Sequence, residues 1–195
     1  MLNRVALMIL LLLSMGTTAL AGDSDNAYAV KGAGISSCSR FVDTAEKHDN
    51  LYLIYGGWIE GYITATNQYL ENTFDLSPWQ STQLMLKVAE SICRKNPEMQ
   101  FHQVVTNIMA GLTKQRIEKG GKFVDINGDR KYVFQKEVIH RIKKTLNNKG
   151  FYDGPINSDY DDALKTSMKA FQKSINQKQT GLPDQGTLFK LFQHD

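Results

Sequence analysis

At 195 residues, with 42% hydrophobic side chains, the chain is long enough for one large domain or two small ones. Its formal net charge of +3 is too small to mark a nucleic-acid binder. Two cysteines and four scattered histidines, none at ligand spacing, point away from a zinc centre.

Arg4 precedes an apolar run over residues 5–13, and Ala19-Leu20-Ala21 presents small side chains where a signal peptidase reads. The run is too short for a permanent bilayer span. Ala27-Tyr28-Ala29 offers a second cleavage site, and no cysteine near either site would take a lipid anchor. Residues 1–21 therefore read as a signal peptide and 22–34 as a polar leader. The mature chain is expected in the periplasm, with no membrane attachment after cleavage. Export to an oxidising compartment predicts a Cys38–Cys93 disulfide, two free buried thiols being the alternative.

Residues 35–122 read as four helices. The first, over 37–47, sets Cys38, Phe41, Val42 and Ala45 on one face. The second, over 51–70, carries Tyr52, Tyr55, Trp58, Tyr62 and Tyr69. Its Gly56, Gly57 and Gly61 cost about 1 kcal/mol each in helix propensity. They predict either a helix packed closely on that face or a kink at Gly56-Gly57. The third helix starts with Ser77 as N-cap, Pro78 in the first turn and Gln80 at the capping-box position. It carries Leu84, Leu86, Val88, Ile92 and Cys93 until Asn96-Pro97 breaks the chain. The fourth starts at Pro97 or Glu98 and ends at Lys119, with Phe101, Val104, Val105, Ile108, Met109 and Leu112 inward. Residues 123–132 read as a short linker in which Asp125-Ile126-Asn127-Gly128-Asp129 forms a turn.

Residues 133–195 alternate helix and tight loop. Val138, Ile139, Ile142 and Leu146 make an i, i+3, i+4 stripe that stops at Lys149-Gly150, where glycine can take the left-handed conformation. A second helix, from about residue 159, buries Tyr160, Leu164, Met168, Phe171 and Ile175. Asp184 then caps a short last helix carrying Thr187, Leu188 and Leu191. The expected fold is all-α: a disulfide-stapled helical bundle followed by a small three-helix domain.

Three pieces follow one another in the last part of the chain: Gly150-Phe151-Tyr152-Asp153-Gly154-Pro155-Ile156, Ala170-Phe171-Gln172 and Thr180-Gly181-Leu182-Pro183-Asp184. With Thr187, Leu188 and Leu191 they resemble the peptidoglycan-binding domain appended to many bacterial cell-wall hydrolases. The resemblance implies peptidoglycan as ligand and places its contacts at Tyr152, Asp153, Gly154, Tyr160, Gln172, Thr180, Gly181 and Asp184. Each also has a structural use, as turn glycine, helix cap or bond to loop backbone. Asn157-Ser158 departs from the family's usual Asp-Gly, and Leu164 from its usual Thr.

Gly34, Cys38 and Phe41, then Trp58-Ile59-Glu60-Gly61-Tyr62 with Ala65 and Asn67, then Cys93 and Asn96-Pro97, are similar to the Tai/Rap-type immunity proteins. Those are small exported helical proteins that inhibit cell-wall amidases. The similarity implies a partner-binding bundle, with a cell-wall enzyme as the partner and Trp58, Glu60 and Tyr62 at the contact.

No catalytic pattern stands out. His48, His102, His140 and His194 are isolated, and the cysteines are better used in a disulfide than as a nucleophile. Glycosidases work with two carboxylates, and only Glu60, beside Trp58 and Tyr62, is an acid in a sugar-friendly setting; a solvated glutamate is the preferred reading. A calcium loop starting at Asp125 would need Gly and Glu where Arg130 and Lys136 stand. Asp159, Asp161 and Asp162 suit a helix start without any metal. The expectation is a non-catalytic, cofactor-free protein that binds peptidoglycan through its C-terminal domain and a partner through its bundle. An immunity-like inhibitor of a wall amidase is the alternative, and a hydrolase with an unrecognised site the third reading.

Overall fold

The computed structural model describes residues 23, 25, 27–47, 50–128 and 131–193. The expected signal peptide over 1–21 lies outside them, as do His48, Asp129, Arg130 and His194. Residues 31–195 cluster as one unit. The polar leader is not polar to its end: residues Gly32–Ile35 form a 3-10 turn in which Gly34 is buried, and Ala33 packs on the bundle.

The bundle holds α1 (Cys38–Glu46), α2 (Leu51–Tyr69), α3 (Thr82–Lys95) and α4 (Phe101–Leu112). Its core is built around Phe41, whose ring centroid lies 4.8 Å from that of Tyr55 and 4.7 Å from that of Phe101. Cys38 is bonded to Cys93, fastening the start of α1 to the end of α3. Of the three glycines of α2, only Gly56 meets a neighbouring helix. A Cβ there would sit 3.2 Å from Thr82 and 3.3 Å from Leu86, whereas Gly57 and Gly61 face open space. Close packing on α3 explains Gly56, and α2 runs unbroken past it.

Two helices are shorter than expected. α3 begins at Thr82, with Ser81 rather than Ser77 as its cap, accepting from the Leu84 N–H at 3.2 Å. The preceding residues are held elsewhere. The buried Leu76 donates its N–H to Asn67 Oδ1, and the Ser77 N–H goes to the Asp75 carboxylate. Upstream of α4, the Cys38 N–H takes the Met99 carbonyl, and Gln100 with Gln103 forms the capping box, so that helix starts at Phe101. α4 ends at Leu112 and passes through a 3-10 turn, because Ile117 leaves to pair with Asp75 and to enter a second core.

The expected linker over 123–132 is instead half of a hairpin. Strands β1 (Phe123–Asn127) and β2 (Lys131–Gln135) pair antiparallel, with Val124 opposite Phe134 and Ile126 opposite Tyr132. Ile126, Tyr132 and Phe134 are buried, while Phe123 and Val133 face out. This two-residue alternation, with Asn127-Gly128 at the end of β1, is the pattern of a hairpin with one buried face. The fold is mostly helical but not all-α.

After the hairpin come α5 (Lys136–Asn148), α6 (Asp162–Ser174) and α7 (Gln185–Phe192). α5 starts at Lys136, since Val133 belongs to β2. α6 starts at Asp162, capped by Asp161, so Tyr160 lies just before it. Val138, Ile139, Ile142, Leu146, Leu164, Met168, Phe171, Leu188 and Leu191 fill the second core together with the hairpin. The two cores are stitched together. Gln185 on α7 donates to the Trp79 carbonyl at 2.6 Å and accepts from the Ser81 N–H at 2.8 Å. Arg141 on α5 donates to the Gln115 and Arg116 carbonyls beyond α4. The Trp79 and Phe192 rings lie 5.2 Å apart.

Candidate functional site

The first of the two expected loops grows out of the end of α5. Gly150 takes φ +77°, as the end of a helix requires, and Phe151 sets its ring edge-on to Phe171 at 5.4 Å. Tyr152 is buried, with its hydroxyl donating to the Pro155 carbonyl at 2.9 Å. Gly154 leaves room for that ring, since a Cβ there would fall 2.8 Å from the hydroxyl oxygen. Asp153 between them is exposed.

Behind the loop stands Lys143, fully buried on α5. Its ammonium donates to Asn157 Oδ1 at 2.6 Å and to Asp161 Oδ2 at 2.5 Å, and lies 5.3 Å from the centre of the Tyr152 ring. Burial is the largest single influence and pushes the lysine pKa down; the hydrogen bonds and charges of Asp161 and Tyr152 together outweigh it and hold the pKa above the usual value. Asp161 mirrors this. Burial raises its carboxyl, but Lys143 and the Leu164 N–H bring it below the usual range. Asn157, the departure from the family's usual Asp, thus serves as an acceptor for Lys143 and for the Asp159 N–H.

The second loop is organised by Gln172, also fully buried. Its Oε1 accepts from the Gly181 N–H at 2.8 Å. Its Nε2 lies within 3.0 to 3.3 Å of acceptors on Thr187, Thr180, Leu182 and Asp184. Asp184 caps α7 through the Thr187 N–H at 2.9 Å, and Thr180 Oγ1 accepts from the Leu182 N–H. Gly181 has φ +74°, and a Cβ would approach the Lys165 carbonyl oxygen to 2.8 Å, so a side chain is excluded on both counts. Tyr160 donates to the Gly181 carbonyl at 2.6 Å, and burial pushes its phenol up to about 12. Tyr160, Gln172, Thr180, Gly181 and Asp184 are therefore brought together as one hydrogen-bonded cluster. Tyr152 and Gly154 belong to the Lys143 network instead.

Residues 135–191 match a family model described as "Putative peptidoglycan binding domain". The match spans α5 to α7 and both loops, and it supports peptidoglycan binding by this module. Neither a curated protein nor a solved structure matches the chain. The family match covers nothing before residue 135, and the resemblance of the bundle to Tai/Rap-type immunity proteins gains no support from it.

In the bundle, Trp58 donates its indole N–H to the Lys31 carbonyl at 2.8 Å and packs beside Phe101. The Tyr62 hydroxyl meets that of Thr106 on α4 at 3.2 Å. Glu60 is exposed and accepts from the Thr82 hydroxyl, tying α2 to α3. All three hold elements together, with only the Glu60 side chain largely in solvent. Asp75 lies near enough to feel the Glu60 charge, but burial is the larger cause of its raised pKa. Among the described residues, no three His, Cys, Asp or Glu side chains cluster as metal ligands. No helix among them is long and apolar enough to cross a membrane.

Sequence reading missed one concavity altogether. A cleft of about 730 Å³ opens where the bundle meets the peptidoglycan-binding module, lined among others by Trp79, Lys114, Arg141, Lys144, Lys149 and Phe192. These residues come from four separate stretches, and none of them stood out in the sequence as a binding residue.

Proposed function

We propose that this is an exported, non-catalytic protein of the cell wall, whose C-terminal module holds peptidoglycan while its helical bundle engages a partner there. The observation that carries the reading is the family match over residues 135–191, where both loops have the internal order a binding module needs. The Cys38–Cys93 bond supports export, because such bonds persist in oxidising compartments. It also removes both thiols as nucleophiles, which supports the non-catalytic reading. Leu53 and Ile54, 72% and 56% exposed on α2, support the bundle as the partner-binding part.

The test is co-sedimentation of residues 22–195 with purified sacculi, together with an assay for released muropeptides. Saturable sedimentation, competed by soluble peptidoglycan fragments and without release, is the expected result. Failure to sediment refutes wall binding, and muropeptide release refutes the non-catalytic reading.

A further inference from the structure

We infer that the cleft between the bundle and the module is a peptidoglycan subsite, which takes the carboxylates of the stem peptides on its basic rim. This rests on the wall-binding reading and adds to it a second surface, to which the bundle contributes Trp79, Lys114 and Gln115. The cleft is of the size that ligand sites occupy, a few hundred to about 1,000 Å³. Among the described residues no acid lines it, whereas Lys114, Arg141, Lys144 and Lys149 do.

The cations of the rim differ in what holds them. Arg141 is committed to the protein: Nε pairs with Glu137, and the two terminal nitrogens go to backbone carbonyls beyond α4. It fixes one wall of the cleft against the other. Lys114, in the turn after α4, and Lys144, on α5, both line the cleft, are exposed and enter no ion pair among the described residues. Their charge is available to an anion placed between them.

The floor continues into an apolar groove of about 190 Å³, lined by Leu84, Val88, Ile108 and Phe189, with Trp79 and Phe192 shared by both cavities. Anion sites beside an aromatic and aliphatic groove suit a ligand carrying carboxylates next to methyl and acyl groups. Peptidoglycan has that composition, in its N-acetylated sugars and short acidic peptides. A polyphosphate would find the charge but no use for the groove. Trp79 is preorganised for contact, because Gln185 grips its carbonyl at 2.6 Å and Phe192 backs its ring.

The test uses residues 22–195 and a purified disaccharide-peptide, with and without carbodiimide amidation of its carboxylates, and sacculi stripped of accessory polymers. Both lysines are exposed, so a Lys114→Glu, Lys144→Glu double variant should keep the wild-type thermal midpoint. It should bind the acidic fragment about tenfold or more weakly, as reversal of complementary charge does. Amidation should weaken wild-type binding to a similar degree and leave little difference between the two proteins. If wild type sediments with sacculi but the double variant binds within twofold of it, the cleft is not the subsite, and wall binding stands without it. If amidated and acidic fragments bind equally, recognition of carboxylates is wrong. If binding vanishes on removing accessory polymers, the anion belongs to them and the inference falls. If wild type fails to bind at all, the inference and the wall-binding reading fall together.

Discussion

Gln172, in the last turn of α6, and Lys143, on α5, are polar side chains with no exposed surface. Both replace solvent with protein partners and thereby set the course of a loop. Gln172→Leu keeps the approximate volume but strands the Gly181 N–H and the carbonyl of Leu182, and each unpaired buried group costs roughly 1–3 kcal/mol. A drop of that size in urea-unfolding stability is expected; a change below about 0.5 kcal/mol would show that water replaces the amide at no cost. For Lys143 the informative axis is pH. Asp161 has its carboxyl lowered in the folded state, so its contribution is present above the ordinary carboxylate range and fades as the solution is acidified through the folded pKa. Lys143 is raised, so its contribution is present below the ordinary lysine pKa and fades as pH climbs through the folded value. The stability gap between wild type and Lys143→Met should be flat from about pH 5 to pH 9 and shrink on both sides. A gap that persists unchanged at pH 2 would assign the effect to packing rather than charge.

At the scale of the element, the hairpin is the main surprise, and it makes a direct prediction. Ile126 is 2% exposed on β1, whereas Val133 is 51% exposed on β2. Ile126→Ala should therefore cost about 2–4 kcal/mol, as truncating a core isoleucine does. Val133→Ala should stay within about 0.5 kcal/mol. Chemical denaturation of the two variants decides it; equal, small effects would return residues 123–132 to the role of a passive tether. Helix starts follow a similar logic. Ser77-Pro78 has sound capping chemistry, yet Ser81 caps α3, because Leu76 is drawn into the core and the Trp79 N–H, which a Ser77 cap could bind, goes to the Gln80 side chain. A cap motif states where a helix can begin. Competing partners for the same N–H groups decide where it does.

Across the whole molecule, one covalent and several polar ties resist unfolding. Cys38 and Cys93 are 55 residues apart, and closing a loop of that length stabilises by about 4 kcal/mol in the chain-entropy model. A Cys38→Ser, Cys93→Ser variant should lose an amount of that order in equilibrium unfolding, with the loss concentrated in probes of the bundle. Unfolding at an unchanged midpoint would mean the bundle holds itself without the bond. Gln185, Arg141 and the Trp79–Phe192 contact then join the second core to the first. The bundle accordingly is more than an appendage to the module: its segment over 76–81 forms part of the surface on which α7 rests.

Local chemistry was legible in the residues themselves. The apolar stripe from Val138 to Leu146, the Asp184 cap, the left-handed Gly150 and the pairing of the only two cysteines depend on near neighbours or on a choice with one partner available. The spacing of the loop motifs around Tyr152 and Thr180 likewise carried the likeness that the family match over 135–191 supports. What tertiary structure decided was the use to which those residues are put. Lys143 looks like an ordinary solvated position until Asn157 and Asp161 close over it, and Gln172, expected to bond loop backbone, gathers acceptors from both the loop and α7. The partners of the Trp58 indole and the Tyr62 hydroxyl, the Lys31 carbonyl and Thr106, lie 27 and 44 residues away in the chain. The cleft needs Trp79, Lys114, Lys144 and Phe192 in one place, and no periodicity in the chain encodes that. Short-range preferences are written in adjacent side chains, whereas burial, partner choice and concavity depend on surfaces that exist only once two cores have docked.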